Sequence, residues 1–537
     1  MVVLKPMAKR TAAAKTLKPV GENILAVEKK IYRTYEDYDP EDLYLYAGID
    51  VIVTSEIASK LAPRCYDEPK YFRSVNGKDR IETTAMSIFE SYERFTSPAF
   101  EFIIDLELNG IKYDVEGNRA MAARMVAEVE ELETQIFEAL GSTINLDSGD
   151  AMTNLLYVEK GFDVLTRTKT GEPSTDGEAL AALAEKYELP WLKLIAKRKD
   201  IVSIYRTFIQ NYVEDFVKPD GRIHSSYNLH GTSSFRISGD NPNFTQIPRP
   251  KHGYNIRDLF VPRPGYVFIA LDFSSAEVKI LGAISRDPML LKAIEDGMDF
   301  HSFSASQMAG LDYDEFVKIV GDKTHPLNKE YKLKRQAAKT LTFGILYGST
   351  ARGVALSLNI TIKEAEALIA LYFDKFPLIK TYIDDMHNEA RWNHFGVGPF
   401  GQRKMQYGTL GCFANTAVYN AALRNQQNVR IQGTSSSLGL ACFAAGNEAI
   451  KKLGARSLAT VYDSWEIECP IEHAAECLET CFYYMEEWPL ENFDWLTLPV
   501  GVEAEISGKS WGQASVVHRG MNQAEIEEFL RKEQEEG

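Results

Sequence analysis

The sequence predicts an α+β chain built of several domains, and three observations carry that reading. At 537 residues it is longer than the roughly 250–300 residues at which one hydrophobic core stops growing. Long stretches repeat apolar residues at spacings of three and four, as Met121 to Leu140 does, the signature of helices with one buried stripe. Short apolar runs end at turn signals or single acids, as Val267 to Leu271 and the run closing at Val461 do, which is how buried strands read. With 45% hydrophobic and 25% charged residues the composition is that of an ordinary globular protein. No apolar stretch is long enough to cross a membrane.

The elements follow in order. Residues 1–62 open rich in Lys and Ala, turn acidic from Tyr35 to Asp42, and become helical from Leu43 to Leu61. Lys outnumbers Arg in the opening and Ser is not enriched, so it reads as a solvated arm touching DNA or a partner rather than as a transit peptide. Residues 63–96 form a polar connector that includes Val75-Asn-Gly-Lys-Asp-Arg80. Residues 97–220 are helical, with a loop at Thr170-Gly-Glu-Pro-Ser-Thr175. Pro219-Asp-Gly221 is a turn signal opening a β-rich region over 221–290 that contains the run ending in Asp272. Residues 291–395 are mostly helical, 396–520 alternate short strands and helices, and 521–537 form an acidic amphipathic helix.

A net charge of −16 does not exclude a nucleic-acid partner, because phosphate binding depends on local basic surface. The six cysteines (65, 412, 442, 469, 477 and 481) form no CxxC pair, which suits a reducing, cytoplasmic setting. His473, Cys477 and Cys481 share one helical stripe and have the chemistry to hold zinc. A plain buried helix face explains them as well.

Three constellations bear on chemistry. Asp272 ends a strand apolar on both faces, and Asp463 sits at the tight turn of a hairpin read from Leu458 to Glu468. An acid in such surroundings is costly to bury without a cation. If strand and hairpin are neighbours, the two carboxylates can bridge two Mg²⁺ ions about 4 Å apart, with Mn²⁺ as an alternative. Between them lies Arg335-Gln-Ala-Ala-Lys339-Thr-Leu-Thr-Phe343-Gly-Ile-Leu-Tyr347-Gly348. Arg335, Lys339, Phe343 and Tyr347 recur every four residues and form one stripe. Like charges at that spacing repel by a few tenths of a kcal/mol, which a bound triphosphate would offset, while the aromatics can stack on a base. A second stripe, Arg424, Asn428 and Gln432, joins Arg236 in offering donors suited to the minor-groove acceptors that every correct base pair presents. Together these residues describe a site for nucleotidyl transfer.

On these residues the chain resembles family A DNA polymerases, of the bacterial DNA polymerase I type, from about residue 97 to 515. Its divergence suggests a bacteriophage enzyme working in the cytoplasm of an infected bacterial cell. The family's Asp-Tyr-Ser-Gln-x-Glu is matched by Asp272-Phe-Ser-Ser-Ala-Glu277, and its finger-helix signature by Arg335 through Gly348. Phe235-Arg236-Ile-Ser238 followed by Pro242-Asn-Phe-Thr-Gln246-Ile-Pro248 is similar to a further signature. The Val-His-Asp-Glu signature is altered to Val461-Tyr462-Asp463-Ser464.

The resemblance implies a right-hand fold: a thumb over 97–220, a palm with an antiparallel sheet over 221–290 and 396–520, and helical fingers over 291–395. It implies template-directed addition of dNTPs to a primer 3′-hydroxyl. Asp272, Asp463 and the Phe273 carbonyl would bind metal, and His301, Arg335 and Lys339 the triphosphate. Lys339 is a candidate donor of a proton to the leaving pyrophosphate. Phe343 would face the incoming nucleotide, and Glu277 with Tyr347 would exclude a ribose 2′-hydroxyl. Arg236, Gln246, Arg424, Asn428, Gln432 and Tyr462 would contact primer–template DNA. Tyr462 stands where the family has His, and Ser464 where it has an acid. In the thumb, Lys193, Lys197, Arg198, Lys199 and Arg206 form a basic cluster expected to meet phosphates.

Tyr46-Ala-Gly-Ile-Asp50 looks like the last motif of the family's 3′→5′ exonuclease, so residues 1–62 read as an arm plus a remnant of that domain. The remnant is either structural or completed by a separate exonuclease polypeptide or another replisome protein. Two rival functions stand beside it: a catalytically silent DNA-binding or scaffold subunit, suggested by the altered Tyr462-Asp463-Ser464, and a single-subunit RNA polymerase, which shares similar palm signatures. Glu277 as a sugar gate argues against the latter.

Overall fold

In the computed structural model the described residues are 40–66, 70–75, 79–84, 86–168, 170–232, 234–405 and 415–535. The chain divides into two compact units, Met1–Arg64 and Cys65–Gly537. The described part of the first lies in one helix, Pro40–Cys65. Among the described residues, no helix is long and apolar enough to cross a membrane.

The second unit departs from expectation at its start. The polar connector contains an antiparallel ribbon in which Lys70–Val75 pairs with Asp79–Thr84. Tyr71, Phe72, Val75, Ile81, Thr83 and Thr84 favour strands, and in sequence they flank Asn76-Gly77, a dipeptide that signals a hairpin.

Helices α1 (Ser97–Asn109), α2 (Val115–Leu140) and α3 (Pro190–Ile204) follow. Asp114 starts α2 by accepting the Gly117 N–H at 2.9 Å, and Gly141, at φ 70°, ends it in the left-handed conformation that glycine adopts freely. Strand β1 (Tyr266–Phe273) leads directly into α4 (Ala276–Ser285). Helices α5 (Phe300–Ala309), α6 (Asn328–Leu346), α7 (Pro377–Asn393), α8 (Thr416–Gln427) and α9 (Thr434–Lys452) come next. Strands β2 (Arg456–Val461) and β3 (Ser464–Pro470) form the expected hairpin. Helix α10 (Ala474–Phe482), β4 (Val502–Ser507), β5 (Ser515–Val517) and α11 (Gln523–Glu535) complete the chain.

The five strands make one antiparallel sheet in the order β2-β3-β1-β4-β5. Strand periodicity gives each face its own set of side chains. Val267, Ile269, Leu271 and Phe273 of β1, with Trp465, Ile467, Ala504 and Ile506, point into a core shared with residues of α4, α9 and α10. Phe268 and Ala270 belong to a second core with residues of α2 and α3. Asp272 follows them in register on that second face, at the sheet's open end.

The hairpin is locked from below. Trp465 Nε1 donates to Ser457 Oγ (3.0 Å), Ser457 Oγ to Asn447 Oδ1 (2.6 Å), and Asn447 Nδ2 to Asp105 Oδ2 (2.6 Å). This buried relay ties β2 and β3 to α9 and α1, and its satisfied polar groups fix one arrangement. The acidic tail is also anchored. In α11, Ile526 and Leu530 are buried, and Glu533 accepts from the Gly508 N–H at 2.8 Å.

Candidate active site

Val461 faces Ser464 across the hairpin, so the loop is the two residues Tyr462 and Asp463. Tyr462 has φ 63°, a left-handed conformation that is uncommon for a bulky residue in a position usually given to Gly or Asn. Its ring lies 4.9 Å from the Arg236 guanidinium carbon, a cation–π contact that holds the strained turn. Register then sets the rest: Asp272 of β1 faces Ser464 on one side and Glu503 on the other. Asp272 and Asp463, far apart in sequence, line one cleft of about 470 Å³. Asp272 faces solvent at its mouth, yet the walls displace enough water to push its carboxyl up to about 7, with the charges of Asp463 and Glu503 adding to the rise. Burial raises Asp463 as well. Below about pH 7 a cation must therefore compete with a proton for Asp272.

The same face carries acids that sequence reasoning missed. One rung of the sheet holds Ser464, Asp272 and Glu503; the next holds Glu466, Ala270 and Glu505; the next holds Glu468, Phe268 and Ser507. Glu468 is satisfied by the Arg263 backbone N–H (2.7 Å) and Nε (2.8 Å). Glu466 accepts from Ser464 Oγ at 2.7 Å, and its other oxygen is buried with no partner. Burial pushes its carboxyl up to about 8. The signal was present as acids at alternate positions in Ser464-Trp-Glu466-Ile-Glu468 and Glu503-Ala-Glu505, but it needed the strand order to be read.

The second half of the site stands on α6. Its buried side, Tyr331, Ala338, Leu341, Thr342 and Ile345, leaves Arg335, Lys339 and Phe343 on the other. Asp299 caps α5, accepting the Ser302 N–H at 3.0 Å, and takes Arg335 Nε at 2.8 Å. His301 is buried with its Nδ1 unpartnered, and its ring lies 5.5 Å from that of Phe343. Burial lowers its pKa to about 4, so it is a neutral imidazole at pH 7 rather than a cation. Tyr347 lies just past the end of the helix and stays near the stripe, its ring 5.9 Å from Phe343. Its hydroxyl donates to Glu277 Oε2 at 2.5 Å. Gly348, at φ 76°, is held there because a Cβ would sit 2.7 Å from the Arg424 side chain.

Arg236 joins the two halves. It donates to Glu277 Oε1 at 3.2 Å, stacks on Tyr462, and meets the Gln432 amide oxygen at 2.8 Å in the orientation that satisfies both groups. Arg424, Asn428 and Gln432 do not share one regular helix. Helix α8 ends at Gln427, and a π-helical turn spans Val429–Gly433 before α9. Such turns re-aim side chains and are common at functional sites. In that same orientation the Gln432 amide nitrogen faces the Asn428 side-chain amide at 3.1 Å. Gln246 is exposed at the end of a 3₁₀ turn, Phe244–Gln246.

Other expectations fare differently. The basic cluster near α3 is largely consumed inside the protein. Arg198 is buried against Glu133 and Asp147, Arg206 pairs with Asp147 at 2.8 Å, Lys197 with Glu128 at 2.6 Å, and Lys199 donates to the Thr175 carbonyl at 2.7 Å. Acids from distant segments pair with three of its five cations, while Lys193 and the paired Arg206 remain exposed. Asp50 is exposed on the Pro40–Cys65 helix, and the Tyr46 side chain lies outside the described residues. Cys477 and Cys481 are buried, and among the described residues no three His, Cys, Asp or Glu side chains form a ready metal cage. What the cleft offers a cation is the uncompensated pair Asp272 and Asp463. Their oxygen donors, and the charge that pushes Asp272 up, fit a hard divalent ion.

Against known proteins, a family model described as DNA polymerase family A matches residues 115–513. The thermostable DNA polymerase I of Thermus aquaticus is 29% identical over 446 residues, covering 82% of this chain and 50% of that protein. The thermostable DNA polymerase I of Thermus filiformis is 31% identical over 438 residues, covering 81% and 49%. The chain thus spans about half the length of these curated relatives. A solved structure of the POL domain of Pol1 from M. smegmatis, in complex with DNA primer-template and dNTP, superposes with a TM-score of 0.67 at 28% identity. It covers 78% of this chain and 70% of that one.

Proposed function

Because the chain belongs to DNA polymerase family A, we propose that it extends a primer 3′-hydroxyl along a template with dNTPs and releases pyrophosphate. The observation that carries this is the convergence of Asp272 and Asp463 on one cleft. Family A polymerases use divalent metal ions, and these two carboxylates, with the Phe273 carbonyl, are the groups that would hold Mg²⁺ or Mn²⁺. When bound, a two-ion set lowers the pKa of the primer hydroxyl and neutralises charge on the departing phosphates.

The chain's own side chains do the rest. Arg335 and Lys339 grip the triphosphate, with Arg335 preset by Asp299 and Ser302. His301, neutral and with a buried unpartnered nitrogen, serves as a hydrogen-bonding group. Lys339, exposed on the same helix face, delivers a proton to the leaving pyrophosphate. Phe343 packs on the incoming nucleotide. The Tyr347–Glu277 hydrogen bond closes the space a ribose 2′-hydroxyl would need. Arg236, Gln246, Arg424, Asn428, Gln432 and Tyr462 contact the primer–template, and Arg236 senses base pair and sugar gate at once through Gln432 and Glu277. The thumb, fingers and two palm segments take the boundaries 97–220, 291–395, 221–290 and 396–520.

Primer extension by the purified chain tests the reading. The expected result is stepwise, template-coded extension with dNTPs in Mg²⁺ and not with NTPs. No extension in either Mg²⁺ or Mn²⁺ returns the silent scaffold reading, and preferential use of NTPs returns the RNA polymerase reading.

A further inference from the structure

The acid one rung below the proposed metal pair has no role in the account so far. Glu466 is 2% exposed, yet it lines the cleft that holds Asp272 and Asp463. It stands on the strand that carries Ser464, with the same facing, and its cross-strand partner is Ala270 rather than a base. Glu466 and Asp272 are therefore diagonal neighbours on one sheet face, about 7–8 Å apart and within reach of long side chains. Ala270, between β3 and β4, leaves the space over that rung open.

The hydrogen bonds of Glu466 are half complete. Ser464 Oγ, opposite Asp272 and next to Asp463, donates to Oε1 at 2.7 Å. Oε2 is buried without a partner. Its cleft neighbours are Glu505, which repels it, and Arg257, which stacks on Trp511 at 4.5 Å and forms no ion pair with it. Glu468, two residues on, differs: arginines saturate it. A buried carboxyl oxygen without a donor is costly to keep. Here it belongs to a side chain that lines the cleft where hydrated cations are expected.

We propose that Glu466 is a positioning residue for the divalent cation held by Asp272 and Asp463. Its unpartnered oxygen accepts a hydrogen bond from a water of the ion's hydration shell, while the Ser464 hydroxyl fixes its other oxygen. It is not a direct ligand. It orients the shell from one layer out, as outer partners do at metal sites generally. The inference rests on the two-carboxylate reading above.

Mn²⁺ titration of the full chain, without DNA or nucleotide and followed by electron paramagnetic resonance of the free ion, tests it. Glu466→Gln keeps the shape and the bond to Ser464 but puts an amide N–H where the free oxygen would accept. Ser464→Ala leaves the buried carboxyl in place and removes its anchor, so it reports even if the first variant folds poorly. The expected result is Mn²⁺ affinity about tenfold weaker in Glu466→Gln, and weaker also in Ser464→Ala. Affinity unchanged in both, but lost in Asp272→Asn, overturns the role of Glu466 alone. Affinity unchanged in Asp272→Asn overturns the metal pair, and this proposal with it.

Discussion

Replacing Asp272 with Asn is expected to reduce primer extension by at least about 10³-fold while changing primer–template affinity no more than about twofold. An ion stabilising transition-state charge contributes several kcal/mol, and each 1.36 kcal/mol is a factor of ten in rate. Asn keeps the volume and one oxygen but removes the charge. Asp463→Asn should behave alike, because the two carboxylates act on one cleft and each raises the electrostatic demand for a cation. The DNA contacts assigned to Arg236, Arg424 and Gln432 are untouched, so filter or anisotropy binding should stay level. Extension retained in either variant removes that residue from the metal site.

Glu277→Ala is expected to lower discrimination between dATP and ATP, measured as the ratio of kcat/KM values, by about 10²-fold. That is the scale on which a shaped polar site rejects a misfitting group. Glu277 is buried, accepts from Tyr347 at 2.5 Å and from Arg236 at 3.2 Å, and is raised in pKa chiefly by burial. Truncation opens the volume beneath the nucleotide sugar and releases the Tyr347 ring that the carboxylate holds in place. Glu277→Gln, which keeps the volume, should retain most of the discrimination. An unchanged ratio in the Ala variant would show that the sugar is sensed elsewhere.

Much of the frame could be read from sequence because its signals are local. Val267 to Leu271 is apolar throughout since the strand is covered on both faces, and the hairpin of β2 and β3 is marked by two runs around a two-residue loop. The stripe of Arg335, Lys339 and Phe343 was legible because a helix maps spacing onto a face. What failed depended on partners far away in the chain. The cations around α3 look unpaired in sequence, and Glu128, Glu133 and Asp147 pair with three of them. The Arg424 to Gln432 stripe assumes 3.6 residues per turn through a segment that is π-helical. Glu466 alternates with its neighbours in sequence, but its meaning lies in register with Ala270 and Asp272, which needs the strand order. The protonation of His301 is not legible in sequence: burial keeps it neutral at pH 7 against the pull of Asp299.

The departures at the hairpin are physically coherent with an active site. Tyr462 keeps an aromatic ring in the turn and uses it to hold Arg236. Ser464 lacks a carboxylate but anchors one two residues away. Arg430, wholly buried, pairs with Glu389 and donates to the Val397 carbonyl at 2.7 Å, so the π-helical turn carrying Gln432 is held against α7. That rigid support is what the proposed reading of base-pair shape through Gln432 requires.

The most direct test is anomalous diffraction from a crystal of the full chain with primer–template, an incoming dNTP and Mn²⁺. Manganese density lying between the carboxylates of Asp272 and Asp463, in contact with both and next to the triphosphate, is the predicted result. Manganese held away from these two side chains, with the triphosphate nonetheless bound along α6, would contradict the account.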